Sequence, residues 1–177
     1  MSDDVRNMTG GSGDVNPQFL SFSAVQSGAD ATTTTQQTLP IEKYGNNGQN
    51  RARVVEILKA FTSFSIPAET DSIQTLIIST NNNAATAPAA GFADTRVFVA
   101  YSRRTLLTTS GQLSIVEPQV WDLTDASGHG VLVATDNIFA QVSSTGTSLT
   151  NTAFIKLLYR FKEVGLTEYI GIVQSQQ

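Results

Sequence analysis

Thr152–Gln174 reads TAFIKLLYRFKEVGLTEYIGIVQ, and this stretch decides the fold class. Ala153, Ile155, Leu157, Tyr159 and Phe161 fill the odd positions, while Lys156, Arg160 and Lys162 fall on the even ones. Side chains of an extended strand point alternately to two faces. Apolar residues at a period of two, with cations between them, therefore describe a half-buried β-strand. After Val164-Gly165 a second run, Thr167–Val173, is rich in Ile, Val and Tyr. Glycine permits a tight reversal, so the two runs are predicted to form a hairpin.

The same criteria apply upstream. Gln18–Gln26 (QFLSFSAVQ) spaces Leu20, Phe22 and Ala24 evenly, as a short strand or a docking segment would. Thr32–Ile41 is β-branched and extended, with Pro40 at its end. Arg51–Ser65 (RARVVEILKAFTSFS) is ambiguous: Val54, Ile57, Leu58 and Phe61 make a helical stripe, but its β-branched and aromatic content favours a strand. Asp71–Thr80, Val97–Tyr101, Leu113–Leu123, Val131–Ala134 and Ile138–Val142 add further strands, with a break or bulge at Pro118 and a bend or hairpin at Asp136-Asn137. Asn81–Gly91 and Ser143–Asn151 read as surface loops, and Met1–Asn16, small and glycine-rich, as a flexible arm. Eight to ten short strands, no strong helix and no internal repeat predict an all-β, antiparallel jelly-roll β-sandwich over residues 17–177. Other Greek-key sandwiches remain open.

Composition bounds the function. A chain of 177 residues makes one domain, and its charged fraction is 15%, low against the roughly 25% of soluble domains. The net charge of -4 supplies no global field to attract phosphates. Cysteine is absent, which removes disulfides, thiolate metal sites and a cysteine nucleophile. No leader peptide opens the chain and no apolar run approaches the ~20 residues of a membrane span, so the product is expected in the cytosol of the cell that makes it.

Few residues suggest chemistry. His129 is the single histidine. Asp125 and Ser127 are near it in sequence, but a triad is defined by geometry and not by such nearness, and a turn of small residues explains all three. Asp122, Asp125 and Asp136 lack the alternating carboxylate spacing of a calcium loop and read as solvated turn residues. Gly10-Gly11-Ser12-Gly13 lacks the Lys-Ser/Thr that follows a phosphate cradle. No cofactor and no metal is expected. The cations carry more. Lys156, Arg160 and Lys162 share one strand face, Arg51 and Arg53 another, and neighbouring strands would join them into a basic patch able to contact nucleic-acid phosphates. The competing reading is a polar outer face partly neutralised by Glu42, Glu56 and Glu163. Phe19, Phe22, Phe61, Phe64, Phe98, Trp121, Phe139, Phe154, Tyr159 and Phe161 are read as core. A platform for stacking bases would need aromatics interleaved with cations on one face, and Tyr159 and Phe161 lie opposite the cations.

His129–Ile138 (HGVLVATDNI) and Lys156–Gln177 (KLLYRFKEVGLTEYIGIVQSQQ), with the turn Trp121-Asp122-Leu123-Thr124-Asp125, resemble capsid proteins of environmental small circular single-stranded-DNA viruses that encode a replication initiator. The resemblance covers roughly the last third of the chain. It implies a jelly-roll coat subunit, not an enzyme, that self-assembles into a small icosahedral shell and forms part of a virion built inside the host cell. The partners it implies are further copies of the chain, about sixty in the simplest closed shell, and the packaged nucleic acid, with no membrane. One departure stands out. Such proteins commonly begin with an arginine-rich arm, whereas Met1–Asn50 holds only Arg6 and Lys43 against Asp3, Asp4, Asp14, Asp30 and Glu42. Two rivals are a β-sandwich binding head for carbohydrate or a receptor, using the Asn81–Gly91 and Ser143–Asn151 loops, and a subunit of a tube or filament.

Overall fold

The computed structural model describes residues 16–40, 51–65, 71–82, 93–108, 111–113 and 118–177. The predicted arm (residues 1–16, all but the last residue), the glycine cluster at 10–13, Glu42, Lys43 and most of the Asn81–Gly91 loop lie outside them.

Among the described residues, ten strands and one helix follow in chain order: β1 Gln18–Val25, β2 Thr33–Thr38, β3 Arg51–Phe64, β4 Ser72–Ser79, β5 Val97–Thr108, β6 Gly111–Leu113, β7 Gln119–Asp122, β8 Val131–Val133, β9 Asn137–Thr145, β10 Thr152–Gly165 and α1 Leu166–Gln176. One sheet has the order β1-β10-β3-β7, with β8 also on β3; the other has the order β2-β9-β4-β5-β6. All pairings are antiparallel. The pairs nest: β1 with β10, β2 with β9, β3 with β8 and β7, β4 with β5. A long ribbon paired in this way and folded over, so that β10 meets β3 and β9 meets β4, is a jelly roll. The expected fold class is therefore the observed one, and the ambiguous Arg51–Ser65 segment is a strand.

The core lies between the sheets. Ile155, Leu157 and Tyr159 of β10 face Leu76 and Ile78 of β4 and Ile138, Ala140 and Val142 of β9 in one buried cluster. At β3 the alternation changes phase. Leu158 and Tyr159 pair with Lys59 and Ile57, leaving Leu58 as the extra residue of a β-bulge. Val55 and Ile57 point inward before the bulge, and Ala60 and Phe64 after it. Lys59, Phe61 and Ser63 are thereby turned to the outer face, because strand neighbours alternate.

Of the two alternatives at Asp136-Asn137, the bend is the one observed: β8 joins β3 and β9 joins β4, so Asp136 marks a bend that crosses between sheets. The hairpin at Gly165, and with it the absence of a helix, is corrected. Residues after Gly165 form α1. Both edges of β10 are already occupied, by β1 and β3, so a returning strand has no ladder to join. Tyr169, Ile172 and Val173 instead pack at helical spacing onto Ala52, Val54, Ala134 and Val164. The side chain of Gln176 then completes the backbone bonding of β8, accepting from the Ala134 N–H at 3.0 Å and donating to the Leu132 carbonyl.

Candidate nucleic-acid interface

β10 and β3 are neighbours, as a joint basic patch requires, but register separates their cations. Directly opposed residues in an antiparallel pair share a face. Arg51 opposes Gly165 and Arg53 opposes Glu163, on the face that continues into the core through Val55 and Phe161. Lys156, Arg160 and Lys162 project from the opposite, outer face. Arg51 pairs with Glu163 at 3.5 Å, and the Arg53 guanidinium lies 4.2 Å from the Phe161 ring centroid. The five cations thus form two groups, one on each side of the sheet.

The outer group surrounds a carboxylate. Glu56 opposes Arg160 and neutralises it as the competing reading expected, but from a completely buried position and not from the surface. It accepts from Arg160 Nε at 2.5 Å and from the Gly130 N–H at 3.0 Å, with Lys162 Nζ at 3.7 Å and His129 Nδ1 at 3.9 Å. Burial pushes its carboxyl up, but the Arg160 hydrogen bond, the Gly130 N–H and the charges of Arg160 and Lys162 outweigh it and hold the group below the ordinary glutamate range. Gly130 can approach because it lacks a side chain; a Cβ there would collide with the Ile57 carbonyl.

His129 therefore sits on a structural ion cluster. Asp125, its neighbour in sequence, closes the turn instead, accepting from the Ser127 and His129 N–H groups at 2.8 and 2.9 Å. Hydrogen bonds from His129 first, and then Ser127, hold Asp125 below the ordinary aspartate range. Asp122 caps Thr124 and pairs with Lys59. Among the described residues, no group of three or more His, Asp or Glu side chains gathers in a metal-ligating cluster.

Lys156 differs from Arg51, Arg160 and Lys162. Among the described residues it has no carboxylate partner, and its ammonium lies 4.1 Å from the Phe19 ring centroid. The outer face around it is apolar. Phe19, Val25, Val120 and Phe154 are 57, 50, 57 and 53% exposed. The predicted core assignment therefore fails for Phe19 and Phe154, while Phe64 and Tyr159 are buried as expected. Cross-strand register makes rows of Phe19–Leu158–Lys59–Asp122, Ser21–Lys156–Phe61–Val120 and Ser23–Phe154–Ser63. A groove of about 450 Å³ runs along this face, lined by Ser21, Ser23, Phe61, Ser63, Phe154 and Lys156 among others. Phe154 shares its even parity with Lys156, so this part of the outer face is visible in the sequence. Phe61 is not, because the Leu58 bulge sets its direction.

No protein-family model matches the chain, and no curated protein matches it. Solved structures do. The VP1 protein of Trichodysplasia spinulosa-associated polyomavirus, in complex with sialylated glycooligomers, is 8% identical and aligns over 84% of this chain and 95% of that one, with a TM-score of 0.50. Human polyomavirus 12 VP1, in complex with 3'-sialyllactosamine, is 9% identical over 84% of this chain and 100% of that one, with a TM-score of 0.49. The unassembled VP1 pentamer of Merkel cell polyomavirus is 8% identical over 82% and 95%, with a TM-score of 0.48. The likeness is one of fold.

Proposed function

We propose that this chain is a viral capsid subunit that packs copies of itself into a small closed shell around a genome. The observation that carries the reading is the nested jelly roll, a fold held in common with a polyomavirus VP1 capsid protein at a TM-score of 0.50. The strings His129–Ile138 and Lys156–Gln177 support a small circular single-stranded-DNA virus as the source, and hence a place in the virion. A shell subunit needs rigidity and surfaces, not an active site, and the polar clusters around Glu56, Asp122 and Asp125 are occupied in holding turns and strands. Of the five cations named from sequence, Lys156, Arg160 and Lys162 face the genome in this proposal. Arg51 and Arg53 serve the other side of the sheet.

Electron microscopy of the purified protein tests the reading, with absorbance at 260 and 280 nm read on the same fraction. Uniform closed particles are expected; a monomer at high concentration in every salt condition would remove it, and open tubes would discard closure. A second reading, a carbohydrate-binding head, is favoured by one observation: aromatic faces beside serine hydroxyls in an open groove also suit a sugar ring.

A further inference from the structure

The outer face of the β1-β10-β3 sheet holds more apolar area than the fold requires. The sandwich core is complete on the other side of the same strands, where Ala24, Ile155, Leu157, Ala60 and Phe64 are buried. Phe19 and Phe154 gain nothing for folding from being more than half exposed, and contiguous exposed aromatics on a soluble domain mark a surface that binds. The rings are arranged around a cation. Phe19 and Phe61 lie 6.3 Å apart at 57°, Lys156 caps Phe19, and Phe154 is next to Lys156 on the same side of β10. Ser23 and Ser63 flank Phe154 across the strands, and Ser21 lies beside Lys156.

We propose that this face is a stacking platform for the unpaired bases of single-stranded nucleic acid, with Phe19, Phe61 and Phe154 offering ring faces and Lys156 contacting the intervening phosphate. The inference deepens the capsid reading and rests on it for the identity of the strand. Aromatic side chains exposed beside cations bind single strands because every base has a π-face, whereas a duplex hides those faces in its own stack. The charge pattern separates this occupant from a second copy of the chain. Among the described residues, the carboxylates on this face, Asp122 and Glu56, are engaged by Lys59 and by Arg160 with Lys162. A two-fold contact would present this same face to Lys156, and among its described residues no unpaired acid is there to receive the lysine. A polyanion meets the lysine instead. Local placement also suits the low cation content of Met1–Asn50: contacts are made ring by ring, without a long cationic segment.

The test uses the full chain with a fluorescein-labelled oligodeoxythymidylate and a blunt duplex of equal length, in anisotropy titrations over a salt series. The single strand is expected to bind more tightly. Phe154→Ala and Phe154→Leu should each weaken that binding roughly five-fold or more, since leucine keeps apolar area but no ring face. Lys156→Gln should reduce the salt slope by about 0.7, the value for one phosphate on a single strand. Phe154 is solvent-facing, so thermal unfolding should confirm that both variants fold. Equal affinity for strand and duplex, or wild-type binding by both Phe154 variants, would overturn the proposal. It falls equally if Phe154→Ala changes sedimentation but not oligonucleotide affinity, because the face then belongs to another copy. Particles imaged from the same preparations keep the two ideas apart. Shells without strand preference overturn the platform alone; strand binding by a chain that never assembles upholds the platform and removes the capsid.

Discussion

Glu56→Gln is the most informative single change in the sheet. The substitution keeps the shape and removes the charge that Arg160 and Lys162 share. Glutamine can still accept from the Gly130 N–H, but its amide then presents a donor toward Arg160, which is itself a donor. Removing one partner of a buried ion pair costs about 3–5 kcal/mol when the remaining charge cannot reach water. Here the Arg160 and Lys162 side chains are 20 and 33% exposed and can partly rehydrate, which lowers the expectation to about 2–4 kcal/mol. For a domain of this size that is roughly 5–15 °C in Tm. The pH dependence gives the stricter check. The unfolded chain takes up its proton at the ordinary value of 4.5, whereas folded Glu56 resists protonation to lower pH. Between those two values the unfolded state binds more protons, so wild-type stability falls as pH falls. The variant lacks that component. Urea denaturation of the unassembled subunit from pH 7 downward should show a gap between the two proteins that is full above the ordinary glutamate value and closes as Glu56 titrates below it. A gap of the same size at every pH would show that Glu56 acts through packing and not through charge.

Local geometry sets three further outcomes. Gly146 has φ +77°, and a Cβ there would strike the Asp71 carbonyl, so Gly146→Ala should cost about 2–4 kcal/mol in urea titrations. Gly28 has open space around it, and Gly28→Ala is expected to change stability by less than about 1 kcal/mol, making it the matched control. Gln176→Ala should cost about 1–3 kcal/mol and selectively expose the Ala134 amide to hydrogen exchange, because that N–H loses its acceptor.

The strands are legible because each buries one face, and burying one face writes a period of two into the residues. What escapes reading depends on partners distant in sequence. Thr167–Val173 has the composition of a strand, but only the occupied edges of β10 and the apolar spot formed by Ala52, Val54 and Val164 make it a helix. The Leu58 bulge is equally hidden. It reverses the facing of Lys59, Phe61 and Ser63, and explains why Arg51–Ser65 fits neither a clean helical nor a clean alternating pattern. Sequence alone makes Glu56 a solvated residue, because carboxylates usually are. Only the register that places Arg160 opposite it and the turn that delivers the Gly130 N–H make its burial tolerable. Of the five candidate cations, shared parity groups each set correctly. Joining the sets fails because two neighbouring strands can still present their charges to opposite sides.

The nested pairing also dictates an order of events during synthesis. Gln18 meets Tyr159 across 141 positions, in the ladder and through their side chains. β2 waits for β9, and β3 for β7, β8 and β10. As the chain leaves the ribosome its first three strands have no cross-strand partners of their own, and β4 with β5 is the first pair able to close. The aromatic residues of β1 and β3 therefore emerge well before the strand that lies between them has been translated. Because β10 is the last of these strands to be made, its sheet is not completed until every other strand has been translated. Folding is then committed late, all at once, and at a pace set by the closure of its longest loops.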